Sequence, residues 1–288
     1  MNMKRFFFLA TLVCGLSFAV KAGNIVTDSI KSEILNACVK YNVYLPSGFE
    51  QQADKKYPVV YLLHGLSDTY ETWSDRGRMQ LAADELMESG EATNMVIIMP
   101  NAGTPDVKNT WCGYFNMPGW NYEDFFFQEF IPQVEKKYRG IGDKGHRAVM
   151  GLSMGGGGST VYCQRHPEMF SSCFAMSAWL DNERDIVGGK QNEENKLYHL
   201  SMAVRRQSAL KFIENLDDET KAKLLTVNWF FDCGDDDFLF DQTIRLYQLM
   251  RDKGIKSELR VRNGVHNWEY WHYSLRMALP YVSRNFAK

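Results

Sequence analysis

The chemistry available to this 288-residue chain rests on a serine set between glycines, a run of aspartates and a late histidine, in that order. Ala148–Thr160 reads AVMGLSMGGGGST, and Gly151-Leu152-Ser153-Met154-Gly155 within it has the G-x-S-x-G spacing of a nucleophile elbow. Glycines two positions before and after Ser153 leave room for a strained strand-to-helix turn that exposes the hydroxyl. A serine hydroxyl needs a base to take its proton. Of six histidines, His266 lies in a short loop after a late apolar run, beside Gly264, whereas His272, its main competitor, falls inside a helical pattern. The base in turn needs an acid to fix its tautomer. Asp232, Asp235, Asp236 and Asp237 crowd one strand end; Asp237 is the first choice because it lies far enough past Gly234 for the loop to turn back, and Asp236 is second. Backbone donors for a developing oxyanion are expected at Met154 N–H and at Leu66 N–H, just after His64-Gly65.

Each of these groups follows a short apolar run. Pro58–Leu63 leads into His64-Gly65, Ala148–Leu152 into Ser153, Val227–Phe231 into the aspartates and Ser257–Val261 into His266. Met95–Met99 and Cys173–Ser177 have the same character. Nearly continuous apolar runs are the pattern of strands covered on both faces. Leu35–Leu45 reads as a surface strand. Helical spacing appears over Met79–Met87, Asn121–Tyr138, Met154–Gln164, Leu239–Arg251 and about Glu269–Asn285; Pro132, inside the second of these, is tolerable if a new helical segment begins there. Alternating strands and helices predict an α/β fold with a mostly parallel central sheet and helices on both faces. Such sheets gather their functional groups at the carboxyl ends of strands. Leu180–Asn195 is polar and loop-like, and Lys196–Lys223 holds helical segments, so a small cap-like insertion is expected over about 180–223.

Residues 1–22 read as a secretory signal peptide: Lys4 and Arg5 precede an uncharged apolar run over Phe6–Val20, too short to span a bilayer. The catalytic domain is then 23–288, and the protein is exported, periplasmic or extracellular. Setting 1–22 aside removes three of the 33 basic residues and none of the 35 acidic ones, leaving a formal charge of −5. No basic cluster suits nucleic acid. Cys38, Cys112, Cys163, Cys173 and Cys233 show no metal-ligand spacing and are expected to be buried as small apolar residues, with room for one disulfide.

Residues 101–121 carry Trp111, Tyr114, Phe115 and Trp120 among glycines, prolines and asparagines, with no periodicity. So long an irregular stretch points to a functional loop. Trp111, Tyr114 and Trp120, with Trp268, are the expected substrate wall; the alternative is that the loop aromatics fold back over a core edge. The glycine run is neither a P-loop nor a dinucleotide fingerprint, and the aspartates lack EF-hand spacing. No cofactor and no metal is expected.

HGLSD at 64–68, GLSMGG at 151–156, FDCGDDDFL at 231–239 and GVHNWEYW at 264–271 together resemble the esterase D group of α/β-hydrolases, over about residues 35 to 285. This putative esterase family includes S-formylglutathione hydrolases, feruloyl, acetyl-xylan and tributyrin-type esterases and, more distantly, mycolyltransferases. The resemblance implies an α/β-hydrolase fold, the chain order nucleophile Ser153, acid Asp237, base His266, and oxyanion donors Leu66 and Met154, and so selects Asp237 over Asp236. It implies a cofactor-free serine carboxylic-ester hydrolase acting on small acyl, feruloyl or acetyl esters, with carbohydrate esters favoured for an exported member. Two other readings stand beside it: an acyltransferase using the same triad with a sugar or lipid acceptor, and a non-catalytic carbohydrate-binding module.

Overall fold

The computed structural model describes residues 22–103, 113–183 and 196–288. In chain order the strands are β1 (Asn24–Ser32), β2 (Ala37–Leu45), β3 (Val59–Leu63), β4 (Val96–Pro100), a short hairpin of β5 (Asn116–Met117) and β6 (Trp120–Asn121), then β7 (Arg147–Leu152), β8 (Ser172–Met176), β9 (Asn228–Gly234) and β10 (Ser257–Arg262). The helices are α1 (Thr72–Asp75), α2 (Met79–Glu88), α3 (Tyr122–Phe125), α4 (Ile131–Lys137), α5 (Met154–Arg165), α6 (Lys196–Arg206), α7 (Ala209–Glu214), α8 (Asp218–Leu224), α9 (Phe240–Asp252) and α10 (Trp268–Arg284).

Among the described residues, eight strands form one sheet in the order β1-β2-β4-β3-β7-β8-β9-β10. β1 and β2 are antiparallel to their neighbours; from β4 to β10 every pairing is parallel. The all-apolar β3 shows why the run was legible. Val59, Tyr61 and Leu63 enter the core on one face, and Val60 and Leu62 enter a second core on the other. A strand with helices on both sides has no face left to be polar. The face holding Val60 packs against α2 and α10 through Met79, Ala82, Leu275 and Leu279. The opposite face packs against the aromatic stretch Tyr122, Phe125, Phe126 and Phe130 and against α5.

The helix expected over Asn121–Tyr138 is interrupted. Phe126–Phe130 is a π-helical turn between α3 and α4, and Pro132 sits in the first turn of α4. Proline lacks the N–H that a continuous α-helix would require there, so the ladder resets at its first turn. Pro280 lies inside α10. The crossover from β8 to β9 contains α6, α7 and α8; Ala209 and Ile213 of α7 are fully buried, and Ala209 N–H donates to Leu180 O. Part of the expected cap segment, 184–195, lies outside the described residues, as do the expected signal peptide up to residue 21, Trp111 and Cys112. Cys163, Cys173 and Cys233 are buried free thiols, as their apolar reading requires, but Cys38 is exposed on β2. Among the described residues, no helix is long and apolar enough to cross a membrane.

Candidate active site

Ser153 occupies the turn between β7 and α5 with φ 53° and ψ −117°, a left-handed backbone that a residue with a side chain adopts only under constraint. The constraint is visible. Ser153 N–H donates to Met176 O at 2.9 Å, and Ser153 O accepts from Gly157 N–H at 3.0 Å and Trp179 N–H at 2.9 Å. The flanking glycines are required by close approach. A Cβ on Gly151 would lie 2.6 Å from Gly155 O, and one on Gly155 would lie 2.5 Å from Leu63 O and 2.6 Å from His64 O. The remaining glycines of α5 follow the same logic, so low helix propensity is accepted in exchange for tight helix–sheet contact.

His266 Nε2 is 3.0 Å from Ser153 Oγ, and His266 Nδ1 is 2.8 Å and 3.0 Å from the two carboxylate oxygens of Asp237. With Asp237 ionised, Nδ1 carries the proton and Nε2 presents a lone pair to the serine. Burial opposes ionisation of Asp237, but the hydrogen bond and charge attraction of His266, with the Leu239 N–H, hold its carboxyl below the usual carboxylate range. The imidazole stands between two aromatic rings, Phe238 at 4.5 Å and Trp271 at 4.8 Å between centroids. Trp271 Nε1 donates to Ser177 Oγ at 2.9 Å, and Ser177 also hydrogen-bonds Asp237.

The crowded aspartates separate into different tasks. β9 runs on to Gly234, three residues beyond the expected strand, so Asp232 is a buried strand residue. It is bonded to Arg262 Nη2 at 2.8 Å, to Tyr270 OH at 2.9 Å and to Ser274 Oγ. Asp235 accepts from Gly264 N–H at 3.0 Å, and Asp236 N–H donates to Gly264 O at 3.1 Å, which ties the acid loop to the histidine loop. Only Asp237 reaches the imidazole. His272, the competing base, instead bonds Gly77 O through Nδ1 at 2.9 Å.

The loop after β3 is pinned from below by His64. Its Nδ1 lies 2.8 Å from Gly65 O, and its Nε2 accepts from Ala102 N–H at 3.0 Å, which fixes the neutral tautomer. Burial, only partly offset by the hydrogen bonds to Gly65 and Asn101, pushes the imidazole down to about 4. Leu66 follows this pinned pair and lines the cleft above Ser153. Met154 is the first residue of α5, where backbone N–H groups have no intrahelical acceptor.

A cleft of about 340 Å³ opens over Ser153 and His266, walled by Leu66, Trp179, Phe238, Trp268 and Trp271. Among the described residues of the expected substrate wall, only Trp268 lies here; Arg76, which is 3.9 Å from Asp68, covers its ring at 5.4 Å. Tyr114 and Trp120 do not line it. Both are buried, Tyr114 OH donating to His64 O at 3.0 Å and Trp120 Nε1 to Ala102 O at 3.2 Å. They brace the underside of the His64 loop, as the folded-back alternative required, because their polar atoms find carbonyl acceptors there. Trp111 lies outside the described residues. Sequence reasoning missed Ser177, Phe238, Asp68 and the bracing role of His64. Ser177 did carry a signal, since it ends the strand candidate beside that of the serine.

The family described as "Putative esterase" matches residues 32–282. A solved ferulic acid esterase is 48% identical, with a TM-score of 0.88 and coverage of 92% of this chain and 99% of that one. The endo-1,4-beta-xylanase/feruloyl esterase of Xylanibacter ruminicola is 32% identical over 154 residues, 52% of this chain and 21% of that protein. The acetyl esterase of Caldicellulosiruptor saccharolyticus is 22% identical, covering 82% of this chain and 87% of its own length. The chain thus spans about a fifth of the length of the xylanase/feruloyl esterase.

Proposed function

The chain belongs to this esterase family of carboxylic-ester hydrolases, and from that premise we propose that it cleaves esters through a Ser153 acyl-enzyme and that its substrates are feruloyl or related acyl esters of carbohydrates. The observation that carries the mechanism is the unbroken line of hydrogen bonds from Asp237 through His266 to a strained, cleft-facing Ser153. The resemblance to the ferulic acid esterase and the aromatic cleft walls support the acyl group.

His266 Nε2 takes the hydroxyl proton as Ser153 Oγ attacks the ester carbonyl. Charge collects on the former carbonyl oxygen, where Leu66 and Met154 N–H groups stabilise it. Asp237 stays ionised and stabilises the imidazolium. The tetrahedral species collapses as the carbon–alkoxy bond breaks, and the Nε2 proton passes to the departing alcohol. Water then attacks the acyl-enzyme with His266 again as base; the acid leaves and Ser153 recovers its proton. No step calls on a cofactor or metal. Export of the mature chain after removal of 1–22 suits substrates carried on extracellular polysaccharide.

Release of ferulate from methyl ferulate, followed by absorbance, tests the mechanism. Ser153→Ala lowers kcat on the order of 10⁴-fold or more, because nucleophile, base and acid act as one unit. Undiminished turnover in that variant refutes it. Transfer of the acyl group to an added sugar or lipid, in place of free acid, identifies the acyltransferase reading instead.

A further inference from the structure

We propose that the alcohol half of the ester is an oligosaccharide whose first ring stacks on Phe238 and whose next ring occupies a second cleft on the far side of that residue; this rests on the esterase reading above. Phe238 is 60% exposed although it lies directly against the catalytic imidazole. His266 hands its proton to the departing alkoxide, so the alcohol must sit on the imidazole side of the scissile bond. Of the two rings that flank His266, Trp271 is buried and Phe238 is open. The leaving alcohol therefore passes over Phe238.

Beyond Phe238 lies a cleft of about 530 Å³ lined also by Asp181, Glu183, Lys211, Asp241 and Arg245. It is larger than the catalytic cleft and shares Phe238 with it. Its chemistry differs. The catalytic cleft is aromatic, whereas this one offers carboxylate acceptors next to ammonium and guanidinium donors. Lys211 pairs with Glu183, and Arg245 Nη2 lies 3.1 Å from Glu214 Oε1, so the cations are held in place by their partners. An uncharged polyol, presenting donor and acceptor hydroxyls at close spacing, suits such a surface. The apolar C–H face of a sugar ring suits an exposed phenyl ring, as apolar surfaces suit one another in water.

The test compares kcat/KM for one feruloyl group carried on methanol and on a trisaccharide, in the wild type, Phe238→Ala and Asp241→Ala. Phe238 is exposed, so its removal leaves no buried void. The sugar-ester to methyl-ester ratio falls about fivefold in Phe238→Ala, the scale of one aromatic contact, and falls in Asp241→Ala as well. Ratios equal to the wild type in both variants, with both esters still cleaved, overturn the subsite and leave the esterase reading intact. If the wild type cleaves neither ester, the feruloyl reading falls and the subsite that rests on it falls with it.

Discussion

Acidification should destabilise this protein through His64 before it protonates most of its carboxylates. The imidazole titrates at about 4 in the native state against 6.5 when unperturbed. Between those values the unfolded chain binds a proton that the native chain refuses, so stability rises with pH across the window. The contribution is complete above 6.5, begins to fall below it and is lost once pH drops through 4. The separation, about 2.5 pH units at about 1.36 kcal/mol each, amounts to about 3 kcal/mol in full and about 2 kcal/mol at pH 5. Geometry gives the cause: protonated Nε2 could no longer accept from Ala102 N–H, and the charge would sit in a site closed off from water. Urea denaturation at pH 8 and pH 5 of the wild type and His64→Gln measures it. The wild type loses about 2 kcal/mol more than the variant between those pH values. Paired carboxylates such as Asp237 titrate below the ordinary carboxylate range in both proteins and cancel from the comparison. Equal losses, or a native His64 resonance titrating near its ordinary value, refute the reasoning.

Other consequences follow from the same geometry. Asp237→Asn leaves the fold intact but removes the acceptor that fixes the His266 tautomer, so kcat on methyl ferulate falls on the order of 10⁴-fold with little change in thermal midpoint. A variant within tenfold of wild-type kcat would show that another group orients the histidine. Gly155→Ala places a methyl against the carbonyls of Leu63 and His64. It costs about 1–3 kcal/mol of stability, read as a lower urea midpoint, and it lowers kcat because the displaced backbone carries Leu66. An unchanged midpoint and unchanged kcat would mean that the turn has slack that these distances deny.

Much of this architecture was legible locally. β3, β7 and β8 read as apolar runs because strands covered on both faces have no polar positions, and that depends only on residue type. Gly151 and Gly155 announced a turn without room for side chains. Each residue of the proposed triad follows a strand, so the order Ser153, Asp237, His266 could be read along the chain together with the end of the sheet at which they meet. What could not be read was decided by contacts between residues far apart in sequence. Four aspartates look alike until β9 extends to Gly234, which buries Asp232 against Arg262 and aims Asp237 at the imidazole. Tyr114 and Trp120 look like binding aromatics until carbonyls of His64 and Ala102 capture their polar atoms beneath the site. Phe238 looks like any core residue until the fold leaves it standing in the open beside His266. Residue chemistry and spacing determined what the chain can do, while burial and partner choice, set only when distant segments pack, decided which copy of each residue does it.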